Sequence, residues 1–464
     1  MAGGANGRRP LLRVVAVAMA CLSLSTGIRA PLPASAVPLI SYLSYVGGTG
    51  DDHPLMAATD AAGNVHTSGW TTSVDFVTAA PVRSSLKGER DGYVSASRPN
   101  GSLIYSTYIG GSGIDSAWYL RVGPDGTAYV VGSTSSVDFP VTGDAAQRSF
   151  GGGTYDGFLA ILDPTGRVQY ATYIGGRAYD SANLISLDLA AGAVYVVGNT
   201  RSANFRTTPG AFQEQPAKGT DGWVMRIDAS THVLRWSTLL GASGSDAPYG
   251  VQTDPSGNAV VATLSTSADF PVTQGPGYVP GGDTTLTVFT RTGAVTWSRF
   301  YGQGRPNGVE IDLAGNVVVV GRTATAAYVA SFDPAGTPRF STLLGTSADW
   351  FGGTAVDGSG LVWAVGGARE GLPTPGGSPP TPGGGQDAYA AAFGADGRLL
   401  FATYLGGSKL DGFTGVASVG PTVWIVGRTD SSGIPTTARA QQPTQIGGGD
   451  GLLLHLAPAS TSAS

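Results

Sequence analysis

Tyr105-Ser106-Thr107-Tyr108-Ile109-Gly110-Gly111 recurs along this chain of 464 residues in six further copies. They are Tyr42 to Gly48, Tyr170 to Gly176, Trp236 to Ala242, Trp297 to Gln303, Phe340 to Thr346 and Phe401 to Gly407. The first position is aromatic in all seven. The fourth positions (Tyr45, Tyr108, Tyr173, Leu239, Phe300, Leu343, Tyr404) follow one another at intervals of 63, 65, 66, 61, 43 and 61 residues. A fixed spacing of that size marks a repeat architecture, and it outranks any single motif.

One full unit holds four short apolar runs. In the second unit these are Ser116 to Val122, Ala128 to Val131, Gly157 to Leu162 and Val168 to Tyr173, with turns at Pro124-Asp125-Gly126 and Pro164-Thr165-Gly166. Such runs, separated by Gly, Pro and Asp turns, read as an antiparallel meander. A four-stranded sheet repeated seven times predicts an all-β, seven-bladed β-propeller, with a stacked solenoid as the competing fold. The ends favour the ring. The last unit has three strands (Phe413 to Val419, Val423 to Val426, Gly451 to Leu456), and Leu39 to Tyr45 stands alone before the first complete unit. Residues 39–45 are therefore expected to complete the last blade beside Leu452 and close the ring, removing an open sheet edge. The 43-residue unit keeps all four runs and lacks only the long connection between the second and third, so that connection is not needed for folding.

Composition sets outer limits. Gly 72 and Pro 29 with only 13% charged residues suit turns and short strands, and 41% hydrophobic content suffices for a core. Residues 1–36 read as an export signal: Arg8 and Arg9, an apolar run from Leu11 to Leu24, then Ala34-Ser35-Ala36. Arg8-Arg9-Pro10-Leu11-Leu12-Arg13 leaves both the Sec and the twin-arginine routes open. The propeller then spans 37–458, with a loose tail at 459–464. Cys21, the sole cysteine, would leave with the signal, excluding disulfides from the mature chain. Four arginines and no acids would leave too, taking the net charge from −5 to −9. That balance argues against nucleic acid as partner. No transmembrane segment is expected, and the chain is expected to be a monomer.

Tyr-Ser-Thr-Tyr-Ile-Gly-Gly, followed by Gly113-Ile114-Asp115, Gly132-Ser133-Thr134, Asp138-Phe139-Pro140 and Asp156 before an apolar strand, resembles the bacterial SBBP-type β-propeller repeat. The resemblance covers residues 38–458 and thins where Gly-Gly becomes Gly241-Ala242 and Gly302-Gln303. It implies a secreted or surface-exposed propeller and carries no catalytic residues.

Two sets of residues stand out as candidate sites. Asp52, Asp115, Asp180, Asp246 and Asp411 each lie five residues after the first Gly of the pair, with Asp349 one place early and Asn307 in the fifth unit. Carboxylates ringing a channel mouth suit Ca²⁺. Their recurrence in nearly every unit equally suits hydrogen bonding within each loop. Asp91, Asp156, Asp221, Asp283, Asp387 and Asp450, each opening a third strand, read as structural. Trp118, Tyr119, Tyr249 and Trp350 break the repeat near the mouth, where a sugar or peptide could stack. His53, next to Asp52, is the one histidine placed for acid–base work. The reading is an exported, non-catalytic binding or adhesion scaffold for a protein or polysaccharide, with no cofactor beyond a candidate Ca²⁺. Its expected binding face carries the loops at 71–90, 135–155, 201–220, 267–282, 368–386 and 430–449. The alternatives are a propeller lyase or hydrolase with a metal at the mouth, and an envelope polysaccharide-binding module.

Overall fold

Each repeat forms one antiparallel sheet of four strands, and seven such sheets make the molecule. In the computed structural model the described residues are 37–274, 283–369, 371–377 and 383–458. The expected export segment (1–36), the tail (459–464) and parts of two loops (275–282, 378–382) lie outside them. The first six blades run from Asp52–Thr59 to Leu103–Ile109, Asp115–Val122 to Val168–Ile174, Asp180–Asp188 to Leu234–Leu240, Asp246–Thr253 to Val295–Gln303, Arg305–Ile311 to Pro338–Leu344, and Trp350–Val356 to Leu399–Leu405. The seventh holds Asp411–Val419, Thr422–Thr429, Asp450–Pro458 and, as its outer strand, Pro38–Val46. That outer strand pairs Tyr45 with Leu452 and Leu39 with Ala457. Leu189–Ala191 forms a short 3-10 turn, and no helix among the described residues is long and apolar enough to cross a membrane.

The strands start earlier than the apolar runs suggest. The seventh blade opens at Asp411, two residues before the apolar run that begins at Phe413, and the second at Asp115, one before Ser116. In five blades the opening residue is the repeated aspartate, because its backbone N–H already bonds to the preceding blade: Asp115 donates to the Arg90 carbonyl at 2.9 Å and Asp180 to Tyr155 at 2.8 Å.

The core lies between blades. The second strands Ala128–Thr134 and Val362–Ala368 are buried on both faces, which is why each opens with an unbroken apolar run, Ala128 to Val131 and Val362 to Val365. Apolar clusters fill the spaces between neighbours, including Tyr42, Ala57, Val65 and Trp424 between the seventh blade and the first. The leading aromatic of each copy packs across such a boundary. Tyr105 lies over Gly166 of the next blade, a turn residue at φ +85° where a Cβ would come within 2.6 Å of the ring. Trp236 donates its indole N–H to the Arg291 carbonyl at 3.0 Å.

The fourth-position tyrosine has a different task. The Tyr173 hydroxyl donates to the Ser136 carbonyl (2.7 Å) and accepts the Phe139 N–H (3.0 Å), pinning the start of the long loop. Tyr108 and Tyr45 repeat the arrangement. The loop then folds over the rim and bonds to the outer strand of its own blade: Thr142 to Ala171, Thr208 to Ser237, Ala79 to Ser106. Much of each loop therefore covers an edge and does not build the mouth face alone. The fifth blade lacks the loop, and its outer strand Pro338–Leu344 is exposed where its counterparts are buried.

Candidate functional site

The Gly-Gly pair exists because carboxylates occupy the space of a side chain. Asp115 Oδ2 accepts the Gly111 N–H at 2.7 Å and the Ser136 hydroxyl at 2.7 Å. Asp52 does the same with Gly48 and Ser73, Asp180 with Gly176 and Ser202, Asp246 with Ala242 and Ser267, and Asp411 with Gly407 and Ser431. Burial raises the Asp52, Asp115 and Asp180 carboxyls, and the Thr71, Thr134 and Thr200 hydroxyls oppose the rise. Asp349 turns to Thr346 N (2.6 Å) and Arg369 N (2.7 Å). All six are buried and engaged in their own loops, and none lines the axis. Among the described residues no three His, Cys, Asp or Glu side chains are grouped to hold a metal ion.

The third-strand aspartates sit on the far side of the same glycines. A Cβ on Gly175 would lie 2.5 Å from Asp156 and 3.0 Å from Asp180; one on Gly241 would meet Asp221 and Asp246. Burial, reinforced by the facing charge, pushes Asp156 up to about 7 and Asp221 to about 6. The side chain of Asp283 lies outside the described residues.

A cavity of about 550 Å³ opens on the axis. Its wall has a simple origin. Every first strand carries a register shift that leaves an unpaired residue: Leu55, Trp118 (with Ala117), Asn183, Tyr249, Asn307, Gly352 and Thr414. All seven of these positions line the cavity. A bulge re-aims its residue out of the pleat, and here each blade turns one to the axis. The ring is symmetric in backbone and holds six residue types at its seven positions, Asn183 and Asn307 sharing one.

The expected site residues divide accordingly. Trp118, Tyr119, Tyr249 and Trp350 all line the chamber. His53 does not: it stacks on Trp70 at 3.9 Å with the Arg428 guanidinium against its Nε2. Burial first, then Arg428 and Arg90, push it down to about 3, so it is neutral at physiological pH. Sequence reasoning missed Asn183, Asn199, Tyr179, Arg305 and Arg322, which share the wall with Asn307. A signal was present. The Gly of Val-Val-Gly-Ser-Thr recurs at Gly69, Gly132, Gly198, Gly321, Gly366 and Gly427, and a Cβ there would strike a first-strand carbonyl at 1.8–2.1 Å. An isolated strand glycine marks a bulge or a close backbone approach, so it points across the sheet to the bulge.

Below the chamber the axis is crossed. Arg121 of the second blade reaches Glu310 of the fifth at 3.7 Å. Gln252 of the fourth blade also donates to Glu310, and Ser186 of the third donates to Gln252 at 2.8 Å. The Arg121 guanidinium lies 4.9 Å from the centre of the Tyr119 ring, so chamber and floor share that side chain. Burial raises the Glu310 carboxyl, and Arg121 opposes the rise.

Fold and site define a seven-bladed β-propeller with an asymmetric axial chamber, floored by a partly buried ion pair. No protein-family model matches the chain. The regulatory protein FlaEY of Caulobacter vibrioides is similar to it, 26% identical over 349 residues, which are 74% of this chain and 33% of that protein. The chain thus spans about a third of that relative's length. Among solved structures, the Dos1 propeller covers 91% of this chain and 96% of its own, at 10% identity and a TM-score of 0.45. A protein of unknown function from Dyadobacter fermentans covers 91% and 100%, at 12% identity and a TM-score of 0.43.

Proposed function

We propose that the chain is an exported binding module, without catalytic chemistry, that captures its ligand in the axial chamber. The observation that carries the reading is the ring of bulges: seven equivalent backbone positions present six residue types to one volume. A structural role alone would favour the same residue in each blade, as it does for the aspartates. The volume lies within the roughly 300–1,000 Å³ of small-ligand pockets. The wall holds aromatic rings, amides and guanidinium groups, and no carboxylate, histidine, lysine or cysteine, which supports binding over acid–base or nucleophilic chemistry. Residues 1–36 support export. The shared segment is a third of a longer regulatory protein in Caulobacter, which fits a module that recognises something for its surroundings.

A melting screen of neutral and charged saccharides and small polar metabolites tests this. A ligand of the chamber raises the Tm of the native protein and not of a Trp118→Ala/Tyr249→Ala variant. Ligands that stabilise both proteins equally bind elsewhere, and a library that shifts neither counts against the chamber.

A further inference from the structure

The chamber wall has one sign of charge. Arg305 and Arg322 line it, no acidic side chain does, and neither arginine forms an ion pair among the described residues. This is unexpected for a chain whose net charge is −5. Arg305 is held in place: its guanidinium lies 4.3 Å from the centre of the Tyr249 ring. Its Nε is buried with no hydrogen-bond partner in the protein, and so is the Oδ1 of Asn199. A planar guanidinium without a counter-charge matches a carboxylate. Asn199 belongs to the same wall. Trp118 and Trp350 supply aromatic surface, against which the C–H faces of a sugar ring pack. The Trp118 indole N–H is already taken by the Ser133 hydroxyl at 2.8 Å, so that ring is fixed before any ligand arrives.

We infer that the chamber takes the terminal uronic acid of an anionic oligosaccharide, its carboxylate on Arg305 and its ring among the tryptophans. This rests on the binding reading above and specifies its ligand. The terminal position follows from the floor: with Arg121 and Glu310 across the axis a chain cannot thread through, so it enters by its end. A simple aromatic acid would leave the wall amides without partners.

The test is calorimetric titration with short oligosaccharides ending in galacturonate, glucuronate or mannuronate, each beside its carboxyl methyl ester. At least one acid is expected to bind, with its ester about tenfold weaker or more. Arg305→Gln is expected to bring the acid down to the level of the ester and to leave the ester unchanged. Arg322→Gln, at an exposed position, gives a smaller loss in the same direction and serves if Arg305→Gln lowers the Tm. Trp118→Ala should weaken acid and ester together. Equal binding of acid and ester overturns the acidic ligand and leaves the chamber as a binding site. Binding that survives Trp118→Ala unchanged overturns both readings. If no member of the panel binds, the uronate inference falls, and the melting screen decides the chamber separately.

Discussion

Asp156 and Asp180, from consecutive blades, face each other across the Cα of Gly175, which has no room for a side chain between them. The pair is a blade joint. Asp180 gives its backbone N–H to the Tyr155 carbonyl of the preceding blade and takes the Gly176 N–H at 2.6 Å, while Asp156 takes the Gly151 N–H at 2.6 Å. The repeat's glycines and both its aspartate series belong to this one device.

The joint fixes the direction of the pH dependence. Burial raises Asp156 to about 7 and Asp221 to about 6. The folded protein therefore holds protons that the unfolded chain has released, and stability falls as pH rises through those values. The Tm should rise by a few degrees from pH 8 to pH 5, on the order of 2 kcal/mol. Below about pH 4 it should fall, as carboxylates held below their usual range, Asp138 beside Lys87 and Asp228 beside Arg235, take up protons. Asp156→Asn should flatten the slope between pH 8 and 5. A variant that keeps the native slope shows that this carboxyl is not its source.

The outer strand of the seventh blade comes from the other end of the chain. Tyr42, Leu43 and Tyr45 are buried in it, and Tyr45 both donates to the Ser431 carbonyl and accepts the Ile434 N–H. Each of these side chains contributes about 1.5–3 kcal/mol on burial, together comparable with the whole stability of a domain. A protein lacking residues 37–46 should lose cooperative melting or melt far lower. Normal melting would show that the ring holds without this strand.

The uncovered rim of the fifth blade is a liability. Leu343 is 57% exposed on a strand whose counterparts lie under their own loops. Leu343→Lys should change the stability by no more than about 0.5 kcal/mol and reduce light scattering on heating. Unchanged scattering would place the association elsewhere.

The floor of the chamber is a partly buried ion pair, so breaking one side should cost more than removing both. Arg121→Met leaves Glu310 without its counter-charge and should lower stability by about 1–3 kcal/mol, measured by denaturant unfolding. Arg121→Met with Glu310→Gln should recover most of it. Equal losses in single and double variants would show that the two residues do not act on each other.

The sequence by itself determined the number of blades, the four strands in each and the strand boundaries to within a few residues. Those depend on local periods, and each blade repeats the same apolar runs and turn residues. It also pointed to Trp118, Tyr119, Tyr249 and Trp350, because they depart from the repeat. Only the tertiary structure decided what the aspartates do and what the chamber is made of. The carboxylates of Asp52, Asp115 and Asp180 turn into their own loops, a choice set by glycine N–H groups four residues earlier in the chain. The chamber joins side chains from seven blades, up to 359 residues apart between Leu55 and Thr414. Their meeting depends on closure of the ring and on one bulge per first strand. Its signature in the sequence is a lone glycine on the neighbouring strand, which says where the backbone crowds and not which side chain is turned to the axis.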